Sequence, residues 1–311
     1  MTAKRKAFGY ITRRHAGMTQ ALAFTHRDFP EAGIQIPKGT VEEGEQPEEA
    51  VLREMVEETG LRALTLLGAV ARDHHDSPDG GESERLFYWL RAENAPDRWE
   101  HTVASAGEDD GLVFQCFWVS RPDAVPLMDA HGAYLERVLG RRAVGELPPA
   151  ALTPMTAAFA REVFGWRYPE PYALYSIEES PAALAELVDS RSPQFVAREE
   201  TGAVLGFFAY GSAAEVGDPG EPHLYTADGG LSIGLGMRPE LTGRGLGLAF
   251  VKAGMRFARE WFEPSYLRLF VLAWNERALR VYERAGFQRV GKRTILAPEG
   301  ERVFIEMRTA E

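Results

Sequence analysis

Cysteine is almost missing from this chain: one residue of 311, Cys116, carries a thiol. A disulfide within the chain is therefore excluded, and Cys116, inside the apolar run GLVFQCFWV, reads as a buried small residue rather than a reactive one. No window approaches the roughly 20 apolar residues of a membrane span, and the basic start MTAKRKAFGYITRR lacks the apolar stretch of a secretory signal. A cytoplasmic protein is the expectation. Positive charge is short as well: 35 Lys and Arg against 46 Asp and Glu leave a net charge of -11, with the acid concentrated in the first half. Such a field disfavours nucleic-acid polymers and anionic membranes, but it leaves room for a phosphate ester held through a bridging cation. Internal repeats and low-complexity segments are also absent from the sequence.

What is present describes two ordinary domains. The chain is 45% hydrophobic and 26% charged, and its length suits two independent cores. Strand-like alternation opens it (KAFGYITRR, QALAFTHR), a Glu-rich stretch follows, then further strands (LTLLGAVARDHH, RLFYWLRA, LVFQCFWVS) and a helical pattern, MDAHGAYLERVL. That order predicts a mixed sheet between helices. GRRAVGELPPAALTP has Gly, paired Arg and three Pro but no periodicity, so it reads as the linker. The expected division is a domain over 1–142, a linker over 143–153 and a second domain over 154–311. The second half reads as helical material over Pro181 to Asp189, a hairpin turning at Glu200-Thr201-Gly202, then strand, helix, strand, helix and two final strands.

The densest chemistry lies in KGTVEEGEQPEEAVLREMVEETGL, residues 38–61. Pro47 suits the first turn of a helix, Glu48 and Glu49 complement its positive end, and Gly60 stops it. The spacing predicts a helix over 47–59 whose core face carries Val51, Leu52, Met55, Val56 and Thr59. Glu54, Glu57 and Glu58 stand at i, i+3 and i+4, so their carboxylates share the opposite face. Three such charges repel one another unless a cation sits among them, and oxygen-only ligands suit Mg²⁺ or Mn²⁺. Arg53 precedes Glu57 by four residues and steadies the array from the side. The loop from Gly39 to Gly44 turns sharply enough to bring backbone carbonyls near the ion.

Residues 39–61 also resemble the Nudix signature G-x5-E-x7-R-E-U-x-E-E-x-G-U, with U an aliphatic residue or Met. Gly39, Glu45, Arg53, Glu54, Met55, Glu57, Glu58, Gly60 and Leu61 fill every defined position. The resemblance implies an αβα sandwich that hydrolyses a nucleoside diphosphate linked to another group. It implies metal ligation by Glu54, Glu57 and Glu58 with Gly39 in the binding loop, and places Glu57 and Arg53 in the catalytic machinery. Members of the family also draw a base or ligand from a later loop, for which Glu108, Asp109, Asp110, Glu82 and Glu84 are the candidates. The run DHHD, with His74 and His75 between Asp73 and Asp76, has no metal-ligand spacing and reads as a polar loop.

In the second half, GLSIGLGMRPELTGRGLGLAFVKAGMRFARE reads as strand, Gly-rich turn and amphipathic helix. Gly243, Gly245 and Gly247 leave bare N–H groups at the helix start, where a pyrophosphate can sit. A second strand leads to Asn275, which can cap a helix, with Tyr282 seven residues on and on the same face. The order of these segments, with Asn275, Ala278, Tyr282, Gly286 and Phe287, is similar to the GNAT acetyltransferases over about residues 152–311. That resemblance implies the acyl-CoA N-acyltransferase fold, an α/β (α+β) class shared with the first half. It implies acetyl-CoA held by Met237, Thr242, Gly243, Arg244, Gly245, Leu246, Gly247 and Asn275, an amine as acceptor, and Tyr282 as the acid that protonates the departing thiolate. Thr242 stands where the family pattern has Gln or Arg. The strand LSIGLGM lacks the Glu that members place there, leaving Glu215, Asp228 and His223 as candidate bases, and Trp166, Tyr168, Tyr172 and Tyr175 as a possible acceptor wall.

The resulting expectation is a bifunctional enzyme that hydrolyses a small diphosphate compound and acetylates an amine. One rival makes the Nudix half a nucleotide sensor without turnover, and another makes the acetyltransferase half degenerate. Turnover with Mg²⁺ and titration with acetyl-CoA separate the three.

Overall fold

The computed structural model describes residues 4–76, 82–105, 109–121, 126–139, 150–217, 220–297 and 300–310. Among them the chain divides into two units, one formed by residues 4–139, 150–152 and 199–202 and the other by 153–198 and 203–310. The segment expected as a linker lies mostly outside the described residues.

In the first unit, β1 (Lys4–His15) and β2 (Met18–His26) form on the two segments read as strands and pair as an antiparallel hairpin. β3 (Lys38–Thr40), α1 (Pro47–Thr59), β4 (Leu64–Asp76), β5 (Glu82–Ala92), β6 (Arg98–Thr102), β7 (Val113–Val119) and α2 (Glu136–Leu139) follow. The sheet runs β4-β5-β1-β2-β7-β6 and is mixed, because β1 and β5 are parallel while the other pairs are antiparallel. β1 changes partner along one edge: Lys6 to Phe8 pair with β3 and Thr12 to His15 with β2. The edge thereby delivers Gly39 to the start of the Glu-rich segment.

Alternation on β1 assigns its two faces. Gly9 lies against Met55 of α1 so closely that a Cβ there would strike the sulfur. Phe8 and Tyr10 point the other way, into a core with Phe87, Trp89, Leu135, Val138 and Leu139. Two buried polar ends in that core find partners: Tyr10 Oη donates to the His131 carbonyl at 2.8 Å and Trp89 Nε1 to Thr12 Oγ1 at 2.7 Å, while His131 Nδ1, beside Phe8, has none among the described residues. Cys116 on β7 is 2% exposed, and burial pushes its thiol up to about 12. The expected closing helix is shorter than its pattern. A turn of 3₁₀ helix at Met128–Ala130 precedes α2, and Ala130 takes a φ of 55°, which a continuous helix cannot accommodate.

After β8 (Ala151–Pro154), the second unit holds α3 (Ala157–Phe164), α4 (Pro181–Leu187), β9 (Gln194–Arg198), β10 (Val204–Tyr210), β11 (Gly230–Met237) and α5 (Gly247–Phe262). β12 (Tyr266–Leu272), α6 (Glu276–Ala285), β13 (Gln288–Ala297) and β14 (Gly300–Arg308) complete it. Its strand order is β13-β14-β12-β11-β10-β9, antiparallel except for β11 and β12. α3 and α4 cover the face of Phe207 through Trp166, Val163 and Leu187, and α5 covers the face of Phe208, whose ring stacks on Phe250 at 4.4 Å. The parallel pair is brief. Gly230 to Ser232 match Tyr266 to Arg268, and the remaining residues of both strands have no pairing with each other.

Close approach of α5 to β10 depends on Gly206, where a Cβ would collide with the Phe250 ring and the Gly236 carbonyl oxygen. Neither can retreat without moving backbone or core. Gly206→Ala is expected to cost about 1–3 kcal/mol, read as a lower denaturant midpoint for the second unit.

Candidate functional site

α1 begins and ends where the sequence places it. The Glu49 carboxylate accepts the Gln46 N–H at 3.4 Å, Pro47 occupies the first turn, and Gly60 takes a φ of 72° and donates to the Val56 carbonyl. Its buried stripe differs from the expected one. Ala50, Val51, Met55 and Thr59 are buried, Leu52 and Val56 are half-buried, and Glu58 is only 4% exposed. The three carboxylates therefore do not all lie on an outer face: the Glu54 and Glu57 side chains are partly buried, at 13% and 26% exposed, and Glu58 enters a slot against β3. Backbone makes that slot hospitable. The Lys38 N–H donates to Glu58 Oε2 at 2.8 Å and the Thr40 N–H to Glu54 Oε1 at 3.1 Å. Gly39 sits between them, and a Cβ there would fall inside the Glu54 carboxyl group.

Arg53 is the hub of the array. Its Nε and Nη2 bind both oxygens of Glu45 at 2.9 Å, its Nη1 reaches Glu54 at 2.9 Å and Glu57 at 3.5 Å, and Nη2 also donates to the Thr40 carbonyl at 3.1 Å. The fork ties the loop to the helix, and Arg53 holds the Glu45 carboxyl below its ordinary range. Arg53 thus positions the carboxylates. At the other end of α1, Trp99 Nε1 donates to the Thr59 carbonyl at 2.8 Å and His101 Nε2 to the Glu57 carbonyl at 2.9 Å. Both residues come from β6, a polar strand that the alternation rule does not detect.

Electrostatics register the crowding. Burial pushes the Glu58 carboxyl up to about 8, with repulsion from Asp109 and Glu54 adding to it. Burial also raises Glu54, where Arg53 opposes the shift and Glu57 reinforces it. Among the described residues no three His, Cys, Asp or Glu side chains are gathered around one point, because Glu54 and Glu58 are turned onto backbone N–H groups. The donor set is nevertheless suited to a hard divalent cation: desolvated carboxylates at helical spacing, oxygen ligands alone, and a side-chain-free Gly39 beside them.

Of the later-loop candidates, Asp109 faces this array, since its charge acts on Glu58, Lys6 and His26. Asp110 instead accepts the Ser105 N–H at 3.2 Å, and Glu108 lies outside the described residues. Glu84 is held by Arg5 and Arg72, and Glu82 lies 3.8 Å from His74. Asp73 accepts two bonds from Arg85, at 2.7 and 2.6 Å, and one from Tyr134 at 2.8 Å, which makes it an anchor rather than part of a metal box. Sequence reasoning passed over Lys6. Burial and the neighbouring Lys38 charge lower its ammonium, against Glu54 and Asp109, so two cations stand beside the acids.

In the second unit the separation of β11 from β12 opens a cavity of about 510 Å³. Ile233 to Met237 line one side, Leu269 to Leu272 the other, and the Gly-rich turn and α6 close it with Thr242, Gly243, Gly245, Gly247, Asn275 and Tyr282. Gly243 and Gly245 take φ of 73° and 80°, left-handed conformations that suit glycine. Thr242 donates its hydroxyl to the Pro239 carbonyl at 2.8 Å. Of the residues expected to hold the cofactor, the buried Leu246 and the exposed Arg244 do not line the cavity. Asn275 caps α6 by accepting the Ala278 N–H at 3.1 Å and donates to Tyr175 Oη at 2.9 Å. Burial raises the Tyr282 phenol well above 10.

Of the four aromatics with two readings, acceptor wall or core packing, Tyr168, Tyr172 and Tyr175 line the cavity and Trp166 is buried in the core. Tyr168 Oη donates to the Met237 carbonyl at 2.7 Å. The candidate bases do not line the cavity. Glu215 pairs with Arg268 and accepts from Ser232 at 3.0 Å, His223 lies on Glu215 at 3.3 Å, and Asp228 accepts from Tyr266 at 2.8 Å.

A carboxylate array beneath one mixed sheet and a cleft between parted strands in another define a two-domain α/β protein with a site in each unit. The chain carries a NUDIX domain, matched by the family model over residues 3–138, and an acetyltransferase (GNAT) family domain, matched over residues 160–287. It is 36% identical over 104 residues to mycothiol acetyltransferase of Propionibacterium freudenreichii subsp. shermanii, covering 33% of this chain and 30% of that protein. It is 52% identical over 65 residues to RNA pyrophosphohydrolase of Rhizobium meliloti, covering 20% of this chain and 38% of that protein. The matches thus span about a third of each relative's length. Spermidine/spermine N-acetyltransferase SpeG from Vibrio cholerae aligns with a TM-score of 0.39 at 16% identity, over 51% of this chain and 91% of that one. Among the described residues no helix is long and apolar enough to cross a membrane.

Proposed function

We propose that the protein is a bifunctional cytoplasmic enzyme. Its first unit hydrolyses the diphosphate bond of a small nucleoside diphosphate-linked compound, and its second transfers acetyl from acetyl-CoA to an amine. The observation that carries the hydrolase reading is the slot at Gly39, which admits the Glu54 carboxylate against backbone beside Glu58. Glu54, Glu57 and Glu58, with the Gly39 carbonyl, would hold Mg²⁺ or Mn²⁺. The ion supplies charge neutralisation at the diphosphate and acidifies water. Lys6 and Lys38 offset the negative charge on the phosphate oxygens. Water oxygen attacks phosphorus, the P–O bond to the leaving phosphate breaks, and the water proton passes to a carboxylate, Asp109 being the one supplied from outside α1.

In the second unit the N–H groups of the Gly-rich turn bind the cofactor pyrophosphate at the positive end of α5. The amine nitrogen attacks the thioester carbon, the C–N bond forms, the C–S bond breaks, Tyr282 gives its proton to the sulfur, and the proton shed by the acylated nitrogen passes through water to restore the phenol. A panel of diphosphate compounds assayed with Mg²⁺, and again with chelator, tests the hydrolase reading. Gly39→Ala is the companion variant, because the added methyl displaces a flexible carboxyl end rather than backbone. Thermal stability should be nearly unchanged while hydrolysis falls about 10- to 100-fold, the range for disturbing a metal ligand's support. Full activity in Gly39→Ala, or in chelator, would refute the assignment of this slot.

A further inference from the structure

Among the described residues the cavity of the second unit has a wall without acid: its lining includes no Asp, Glu or His. The charged residues on it are Arg277 and Arg284, both on α6. They stand seven positions apart and so lie on one stripe about 10 Å apart along the axis. Between them Val281 faces the start of α5, within 3.5 Å of where a Cβ on Gly247 would be. The phosphate turn therefore meets the middle of α6, with an arginine to either side.

The two sides differ. The Arg277 guanidinium lies over the Tyr172 ring at 4.3 Å, and Tyr172, Tyr175 and Trp274 form a cluster with ring centroids 5.5 to 6.5 Å apart. These three rings are partly solvent-exposed, and Arg277 makes no ion pair among the described residues. Glu240 acts electrostatically on Tyr168 but is not on the wall. An alkylammonium entering here meets arginine and finds no carboxylate, whereas a carboxylate finds a planar fork already stacked on an aromatic face.

We propose that the acetyl acceptor is a small α-amino compound bearing an anionic group next to the amine. Arg277 receives that anion, Tyr172, Tyr175 and Trp274 pack on the side chain, and Arg284 serves the cofactor phosphates. The inference rests on the acetyltransferase reading. One proton leaves the ammonium for water, the nitrogen then displaces the thiolate from the acetyl carbon while Tyr282 protonates the sulfur, and the second nitrogen proton, lost as the amide forms, returns through water to the Tyr282 phenol.

The test compares matched acceptors on the full-length protein at saturating acetyl-CoA: phenylalanine against phenethylamine, tyrosine against tyramine, with spermidine as the polycation. Thiol release gives kcat and KM, and calorimetry gives acetyl-CoA affinity. Each carboxylated partner should exceed its decarboxylated twin about tenfold or more in kcat/KM. Arg277→Ala should raise the acceptor KM by a similar factor while acetyl-CoA affinity stays within about twofold, and Arg284→Ala should do the reverse. Preference for spermidine or the decarboxylated amines, or an Arg277→Ala defect confined to acetyl-CoA affinity, would overturn the acceptor assignment alone. Absence of acetyl-CoA binding to the wild-type protein would remove the acetyltransferase reading and the acceptor assignment together.

Discussion

Glu57→Gln should abolish diphosphate hydrolysis while leaving the protein folded and acetyl transfer intact. The Glu57 side chain is 26% exposed and meets Arg53 at 3.5 Å, so the isosteric amide removes charge with little loss of packing. A change in the support of a metal ligand costs about 10- to 100-fold. Loss of a ligand itself should cost at least ~10²-fold in kcat/KM, and more if Glu57 also accepts the water proton. Arg53→Lys provides the contrast. It keeps one charge but forfeits the bidentate grip on Glu45, so its defect should appear partly as loosened structure around residues 39–45. Single-turnover hydrolysis, cation titration and thermal melting separate these outcomes. Undiminished hydrolysis in Glu57→Gln would show that α1 is a charged helix and nothing more.

The second large effect belongs to Tyr282. With its phenol raised above 10 by burial, Tyr282 stays protonated across the working range, the state a proton donor to thiolate needs. Tyr282→Phe should lower kcat for acetyl transfer about 10²- to 10⁴-fold, the usual contribution of a placed acid. Acetyl-CoA affinity should scarcely change, because the ring remains on the wall. The wild-type pH profile should show no alkaline decline before pH 10 that disappears in Tyr282→Phe. A fall in cofactor affinity with kcat preserved would assign the residue to packing.

Much of α1 was legible because its signals are local. Pro47, Glu49 and Gly60 fix its ends through bonds within a few residues, and the spacing of Glu54, Glu57 and Glu58 follows from helical period alone. The depth of each carboxylate was not legible. It depends on β3, three residues too short to show a period, and on where that strand presents the N–H groups of Lys38 and Thr40. β6 escaped notice for a related reason. RWEHT has no apolar alternation, yet Trp99 and His101 close the carbonyl end of α1. In the second unit, the Gly-rich turn and Asn275 declare themselves by residue type. The exclusion of Glu215, His223 and Asp228 from the cavity wall arises from contacts with Arg268, Ser232 and Tyr266, which are distant in sequence. α3 was missed because, unlike the equally short α4, it has no Pro in its first turn to mark where it starts.

The buried position of Cys116 bears on how safely such a protein could handle a thioester. Acyl groups pass readily from CoA to any accessible thiolate, and oxidised CoA forms mixed disulfides by the same attack. The one sulfhydryl in the chain is 2% exposed and pushed up to about 12, so almost none of it is ionised at neutral pH. Self-acylation on sulfur and capping by CoA therefore have no foothold in the folded protein. Sulfur-directed modification becomes a reporter of unfolding in the first unit alone.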